Sequence, residues 1–262
     1  MDYSYLGNYK EALDYNLKAL SIRENLFGKN HYEYAISLNN IAVNYSNLGD
    51  YSKALYYNLE VLDIYKEILG DDHPSIAICF NNLAMTYSNL GSYDKALDFN
   101  YKALGIREKT FGTQHPQYAM SLNNIAANYS GLGDYSKALD VNFNVLQIKE
   151  QTLGKQHPDY ALSLNNIAQN YSSLGNFSES LKYNLEALEI REITLGKSHP
   201  DYLLSINNIA MDYVNLGDYP KALEYNLLAI SEVLFFSLID YKFSGIHSFF
   251  AIHSNRLLGN CI

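Results

Sequence analysis

The chain has 262 residues, a formal net charge of −9 and a hydrophobic content of 48%. This hydrophobic content suffices for a continuous core, whereas the acidic charge argues against a nucleic-acid partner, which requires a clustered positive surface. No signal-peptide pattern is present at the N-terminus, and the apolar stretch over residues 233–252 is interrupted by Asp240 and Lys242. The sequence therefore favours a cytoplasmic protein without a membrane span.

The predicted elements recur with a period of 42 residues and no insertion or deletion. In chain order, the first complete helix is expected from about Asn8 to Phe27, and Met1-Asp2-Tyr3 aligns with the inside of a later helix. Each following unit has a helix of roughly 16 residues, a tight Leu-Gly turn and a helix of roughly 20 residues, both with apolar residues at helical spacing. In the unit over 157–195, Pro158 begins the first helix and Asn176 caps the second. Such a period predicts an array of units that bury their apolar faces on one another.

The repeat dissolves after Ile230. We expect an array over residues 1–237, consisting of a half unit and five units, and a divergent or disordered tail over 238–262. A fragment of a longer array or a departure from the true reading frame explains this ending, and a genuine divergent cap is the alternative. Residues His247, His253 and Cys261 have no familiar metal-ligand spacing, and we predict no metal site. Cys79 replaces a serine of the other units, which favours a small buried thiol.

The segment Asn123–Leu139 reads Asn-Asn-Ile-Ala-x-x-Tyr-x-x-Leu-Gly-x-Tyr-x-x-Ala-Leu and resembles the tetratricopeptide repeat. The long period and the segment Ile106–Pro116 are similar to the kinesin-light-chain type of this repeat. The resemblance implies an all-α fold, a right-handed superhelical solenoid of antiparallel helix pairs. It also implies a concave wall that is lined by the first helix of each pair.

An asparagine pair lies in every first helix, although asparagine is a poor residue for a helix interior. By resemblance, the second member faces the groove and binds the main chain of a peptide, with residues one turn further on completing the wall. The alternative is that both amides brace neighbouring helices. The implied peptide-binding residues are Asn40, Asn82, Asn124, Asn166 and Asn208, followed by Val43, Met85, Ala127, Gln169 and Met211.

Three further periodic positions lie outside this wall. The histidines His31, His73, His115, His157 and His199 are expected to cap or pack the start of each first helix. A basic row at Arg23, Arg107, Lys149 and Arg191 is interpreted as an interaction with helix C-terminal dipoles, with ligand contact as the alternative. Since no first helix contains Lys or Arg, we expect a groove wall without basic residues. A second asparagine row, interpreted as a buried structural rib, is Asn16, Asn58, Asn100, Asn142, Asn184 and Asn226.

The favoured function is a non-catalytic scaffold that binds an extended peptide or helix, because every polar candidate for catalysis recurs in each unit. No cofactor is expected. The resemblance implies a cargo adaptor with kinesin heavy chain or cargo as partners, and a cytoplasmic, cytoskeleton-associated location. No heptad pattern for a heavy chain occurs in residues 1–262. The alternative is a regulatory or sensor region of a multidomain signalling ATPase or other enzyme.

Overall fold

The structure, a computed structural model, describes residues 8–232, and every regular element in this range is a helix. The predicted tail over 238–262, with His247, His253 and Cys261, lies outside the described residues. The helices are α1 (Tyr9–Phe27), α2 (Tyr32–Asn47), α3 (Tyr51–Leu69), α4 (Pro74–Asn89), α5 (Tyr93–Phe111), α6 (Pro116–Gly131), α7 (Tyr135–Leu153), α8 (Pro158–Ser173), α9 (Phe177–Leu195), α10 (Pro200–Leu216) and α11 (219–232). Even-numbered helices are the first helices of the predicted pairs, and odd-numbered helices are the second. The all-α prediction and the alternation of shorter and longer helices are confirmed.

Each first helix begins at a histidine that caps it. The imidazole Nδ1 of His115 accepts a hydrogen bond from the backbone N–H of Gln117 at 3.1 Å, which satisfies one of the free donors at the helix start. The same bond is made by His31, His73, His157 and His199. The expectation that these side chains cap the helices is therefore confirmed.

The turns depend on glycine at positions where the backbone has positive φ. Gly217 ends α10 with φ 80° and ψ 7°, the left-handed conformation that a side chain disfavours. Gly70 follows α3 with φ 83° and ψ 164°, a second conformation that suits glycine. Glycines with positive φ follow the helices throughout the described chain, from Gly28 to Gly217.

The described part of the chain divides into two compact units, with the boundary between Thr152 and Leu153. Unit 1 contains α1–α7, and its core includes Leu38, Ile76 and Leu83, together with Ile125 from α6, which are all fully or almost fully buried. Cys79 is a free, buried thiol in this core, as predicted, and burial raises its pKa to about 12. Tyrosine rings fill space between helices, as in the stack of Tyr45 on α2 against Tyr57 on α3.

Unit 2 contains α8, α9, α10 and α11. Its core is built from the same repeat positions, with Leu164, Ile167, Ile206 and Ile209 fully or almost fully buried. Within the unit, α9 packs against both α8 and α10. A second helix thus lies between two first helices, and this arrangement leaves a groove between the two first helices.

Candidate functional site

A groove of about 600 Å³ lies in unit 1 between α4 and α6, with α5 contributing to its floor. We call it groove 1. It is lined by Ile78, Asn81, Asn82, Met85, Ser88 and Asn89 of α4, by Asn100 and Arg107 of α5, and by Gln117, Met120, Asn124, Ala127 and Asn128 of α6.

A groove of about 440 Å³ lies in unit 2 between α8 and α10, with α9 contributing to its floor. We call it groove 2. Its lining residues are Leu162, Asn165, Asn166, Gln169, Ser172, Ser173, Ser180, Asn184, Arg191, Asp201, Leu204, Asn208, Met211 and Asp212. All of them except Ser180 lie two repeats after a lining residue of groove 1. The two grooves are therefore the same site, built twice from different side chains.

The predicted peptide-binding residues lie on these walls or on the corresponding exposed face of α2. Groove 1 contains Asn82, Asn124, Met85 and Ala127, and groove 2 contains Asn166, Asn208, Gln169 and Met211. Asn40 and Val43 are exposed on α2. The large apolar side chains beside these amides are open to solvent, with Met85 51% and Met211 59% exposed. Asn82 and Asn124 remain partly accessible, as do Asn166 and Asn208.

The first members of two asparagine pairs contribute to the same grooves. The Asn82 amide donates to the Asn39 side-chain oxygen at 2.8 Å, so one amide of the pair also joins successive first helices. Asn81 and Asn165 line grooves 1 and 2 beside the second members. The asparagine pairs thus both join neighbouring helices and line the grooves.

The walls formed by the first helices contribute no basic residue to either groove, as expected, but the second helices place guanidinium groups at both floors, which the sequence analysis did not predict. Arg107 is only 2% exposed, and its Nη1 donates to the Ser121 hydroxyl at 2.6 Å and to the Gln117 carbonyl at 3.2 Å. With its side-chain oxygen turned towards this group, Asn81 accepts from Nη1 at 2.8 Å. Desolvation lowers the pKa of Arg107.

Arg191 repeats this arrangement in groove 2, where it donates to the Ser205 hydroxyl at 2.6 Å and to the Asp201 carbonyl at 3.0 Å. Burial lowers its pKa, and the nearby Asp201 charge opposes that shift. The interpretation of the basic row as helix-dipole contacts is corrected here. These arginines bind the first turn and the serine of the following first helix.

The second asparagine row joins helices as predicted at two positions. Asn58 donates to the Thr86 hydroxyl at 3.1 Å, and Asn184 donates to the Asp212 carboxylate at 2.7 Å while accepting from Asn165 at 2.6 Å. Asn100 differs, because neither polar atom of its buried amide has a hydrogen-bond partner among the described residues. A buried rib that joins two helices is therefore observed at Asn58 and Asn184, whereas Asn100 is buried as predicted but makes no such bond among residues 8–232.

Groove 2 also contains a buried carboxylate that the sequence reasoning missed. Asp212 is 2% exposed, and its two oxygens accept from Ser180 at 2.8 Å and from Asn184 at 2.7 Å. Desolvation raises its pKa, and the two hydrogen bonds partly oppose this rise. A sequence signal was available, since Ser180 and Asp212 are both departures from the repeat and they contact each other.

The model of the family described as tetratricopeptide repeat matches residues 1–67, 59–109 and 80–142, and a second model with the same description matches 161–201. The chain belongs to the tetratricopeptide repeat family. No curated protein matches this tetratricopeptide repeat (TPR) chain in sequence.

Solved structures with the same TPR fold include proteins of the kinesin-light-chain type. A Podosopora anserina protein assigned to kinesin light chain, with nearly identical TPR-like repeats, is 25% identical, with a TM-score of 0.66 over 75% of this chain and 93% of that one. BtubC (BKLC) from P. vanneervenii is 20% identical, with a TM-score of 0.74 over 88% and 92%. The apo quorum sensor NprR from B. thuringiensis is 19% identical, with a TM-score of 0.63 over 85% and 60%. The recognition of kinesin-light-chain-like repeats is confirmed.

Two other properties of this TPR chain concern only residues 8–232. Within them, no three His, Cys, Asp or Glu side chains cluster in a way that could hold a metal ion. In the same range, no helix combines the length and apolar character needed to cross a bilayer.

Proposed function

We propose that this chain is a non-catalytic protein-interaction scaffold whose grooves each bind an extended peptide or a helix. The observation that carries the proposal is the recurrence of one site, in which accessible amides alternate with exposed apolar side chains in both grooves. Their volumes, about 600 and 440 Å³, lie within the usual range for ligand sites.

The chemistry of the walls suits main-chain recognition. A side-chain amide has two donors and an acceptor oxygen, which match the C=O and N–H groups of a peptide whatever its sequence. Met85 and Met120 supply flexible apolar contacts in groove 1, and such side chains adapt to varied partners. Specificity is then expected from the few charged groups at the floors.

The particular form of this function that we favour is a cargo adaptor of the kinesin-light-chain kind, in the cytoplasm and associated with the cytoskeleton. Support comes from the Podosopora anserina structure, whose TPR-like repeats are described as nearly identical and whose sequence is 25% identical to this chain. Kinesin heavy chain and cargo proteins are the partners that follow from this proposal. The alternative, a regulatory or sensor region, is favoured by the shared fold of the quorum sensor NprR.

A binding experiment with wall variants tests the peptide proposal. We would display random nonapeptides and select on the wild-type chain, on Asn82→Ala/Asn124→Ala and on Asn166→Ala/Asn208→Ala. Each double variant should lose the peptides that bind its own groove, by at least about tenfold in Kd, since two main-chain hydrogen bonds of about 1 kcal/mol each are removed.

The matched control is Asn144→Ala, an exposed asparagine on α7 that lines neither groove. It gains the same helix propensity and should bind like the wild type. All four chains should keep the same helical circular dichroism. If selection on the wild-type chain enriches no peptide, or both double variants bind every selected peptide unchanged, the grooves are not peptide sites.

A further inference from the structure

Asp212 is a carboxylate at a repeat position that is otherwise uncharged in the described helices. The corresponding residues are Asn44, Thr86, Asn128 and Asn170. Each of the five is 4% exposed or less. Groove 2 therefore has a buried negative charge where groove 1 has the neutral Asn128.

The partners of this carboxylate in the fold are neutral. Ser180 and Asn184 each donate one hydrogen bond, one to each oxygen, whereas an ionised carboxylate can accept about four. No cation lies within ion-pair distance of Asp212 among residues 8–232. Two acceptor positions of a buried anion are thus left for a ligand.

Arg191 lines the same groove but is engaged elsewhere. Its guanidinium donates to the Asp201 carbonyl and to Ser205, at the start of α10. Along α9, Arg191 lies seven residues beyond Asn184, the residue that binds Asp212, a rise of about 10 Å at 1.5 Å per residue. The positive and negative groups of the floor are therefore separate recognition points.

The surroundings of Asp212 suit a long basic side chain. Met211 is 59% exposed on the adjacent wall and offers an apolar surface for the methylene stem of Lys or Arg. The net charge of −9 attracts cationic ligands in general. A cation that enters the groove would offset the cost of burying the unpaired carboxylate, and this gain is absent for a neutral side chain.

We propose that groove 2 binds a Lys or Arg side chain of its peptide, whose cation pairs with Asp212, and that groove 1 does not share this preference. The inference rests on the proposed peptide-binding function and adds the class of side chain that one groove selects. Ser180 and Asn184 are positioning residues that hold the carboxylate in the floor.

The experiment is a nonapeptide selection on the Asn82→Ala/Asn124→Ala background, in which groove 2 is intact. Peptides enriched on this chain should carry Lys or Arg at one fixed place, and the preference should vanish when Asp212→Asn is added. For an arginine-containing peptide, replacing the arginine with citrulline, which has nearly the same shape and no charge, should weaken binding by about tenfold or more. With Asp212→Asn present, the two peptides should bind within about twofold of each other.

A second variant guards against a folding defect. Ser180→Ala/Asp212→Asn recreates the uncharged pair that Ala96 and Asn128 form in unit 1, so the repeat already accommodates it. It should remain folded and lose the citrulline discrimination. If peptides are enriched without a basic residue, or arginine and citrulline peptides bind equally to the intact groove 2, this inference is wrong while peptide binding stands. If no peptide is enriched at all, the proposed function itself is wrong for groove 2.

Discussion

Grooves 1 and 2 have closely similar walls and different floors. Both have two second-position asparagines and exposed apolar side chains. Asn100 in groove 1 has no hydrogen-bond partner among residues 8–232, whereas Asn184 in groove 2 is bonded to Asp212 and Asn165. The repeat thus determines where a ligand can lie, and single departures from it determine which polar groups the ligand meets.

The basic residues of the two floors differ in the same way. At the floor of groove 2, Arg191 has the Asp201 charge nearby. The equivalent Arg23, which lines neither groove, makes an ion pair with Glu33 at 3.3 Å. At the corresponding place beside Arg107, the neutral Gln117 replaces the acid. Among the described residues, groove 1 therefore has a buried cation that is paired with no carboxylate, and groove 2 has a buried carboxylate that is paired with no cation.

The largest expected effect tests whether the two units share one kind of core. Ile125 in α6 and Ile209 in α10 are equivalent and fully buried. Each Ile→Ala change should lower the free energy of unfolding of its own unit by about 2–5 kcal/mol, through lost apolar burial and a cavity. Amide hydrogen exchange, followed separately in peptides from α6 and α10, measures this. A much smaller loss in one unit would show that its core is packed differently.

The next effect separates the two floor amides. Asn184→Ala should cost about 1–3 kcal/mol, because it removes one of the two hydrogen bonds to Asp212 and the bond that the buried Asn165 amide donates. Asn100→Ala should change the stability of unit 1 by less than about 0.5 kcal/mol, because its polar atoms have no partner to lose within the described chain. Urea unfolding, with local exchange to identify the affected unit, compares the two. Equal losses would mean that Asn100 is bonded in solution.

A third prediction concerns pH and only unit 2. Because burial raises the pKa of Asp212 above its ordinary value of 3.8, the folded state holds the proton more tightly than the unfolded state. Its contribution to stability is therefore greatest at acidic pH and falls as the pH rises through the raised pKa. Relative to the wild type, Ser180→Ala/Asp212→Asn should become more stable over this rise, by about 1.4 kcal/mol for each pKa unit of the shift.

Unfolding by urea at several pH values between acidic and neutral measures this difference. Arg191 and Asp201, the other charged groups of groove 2, are present in both chains, so their effects cancel. A difference that stays constant with pH would mean that the Asp212 pKa is not raised.

The smallest effect should be equal in the two units. His115→Ala and His199→Ala should each cost about 1 kcal/mol, because each imidazole accepts one backbone hydrogen bond at a helix start. The corresponding His→Asn changes should cost less, since asparagine is a favourable cap. Thermal unfolding followed by circular dichroism detects the order. A histidine whose removal has no effect would not be a cap in solution.

The fold could be predicted from the sequence because each rule acts locally and recurs. A histidine caps every first helix, proline opens four of the five, glycine lies in the turn after each one, and apolar spacing identifies the buried faces. The floors could not be predicted in the same way, because their contacts join residues of different helices. Some of these contacts nevertheless leave a mark in the sequence, because two residues that touch both differ from the repeat. Ser180 and Asp212 are one such pair. Tyr65 and Cys79 are another, at the positions where other units have an Arg–Ser pair such as Arg107 and Ser121.

The buried thiol in unit 1 makes the chain suitable for chemical labelling. Cys79 has a pKa of about 12 and is shielded from solvent, so an alkylating reagent reacts with it only after the surrounding packing opens. Mass spectrometry of the peptide that contains Cys79 then reports how often α4 separates from its neighbours. If the labelling rate of Cys79 is compared with and without a peptide in groove 1, a change in that rate reports binding. The chain needs no mutation and no attached probe.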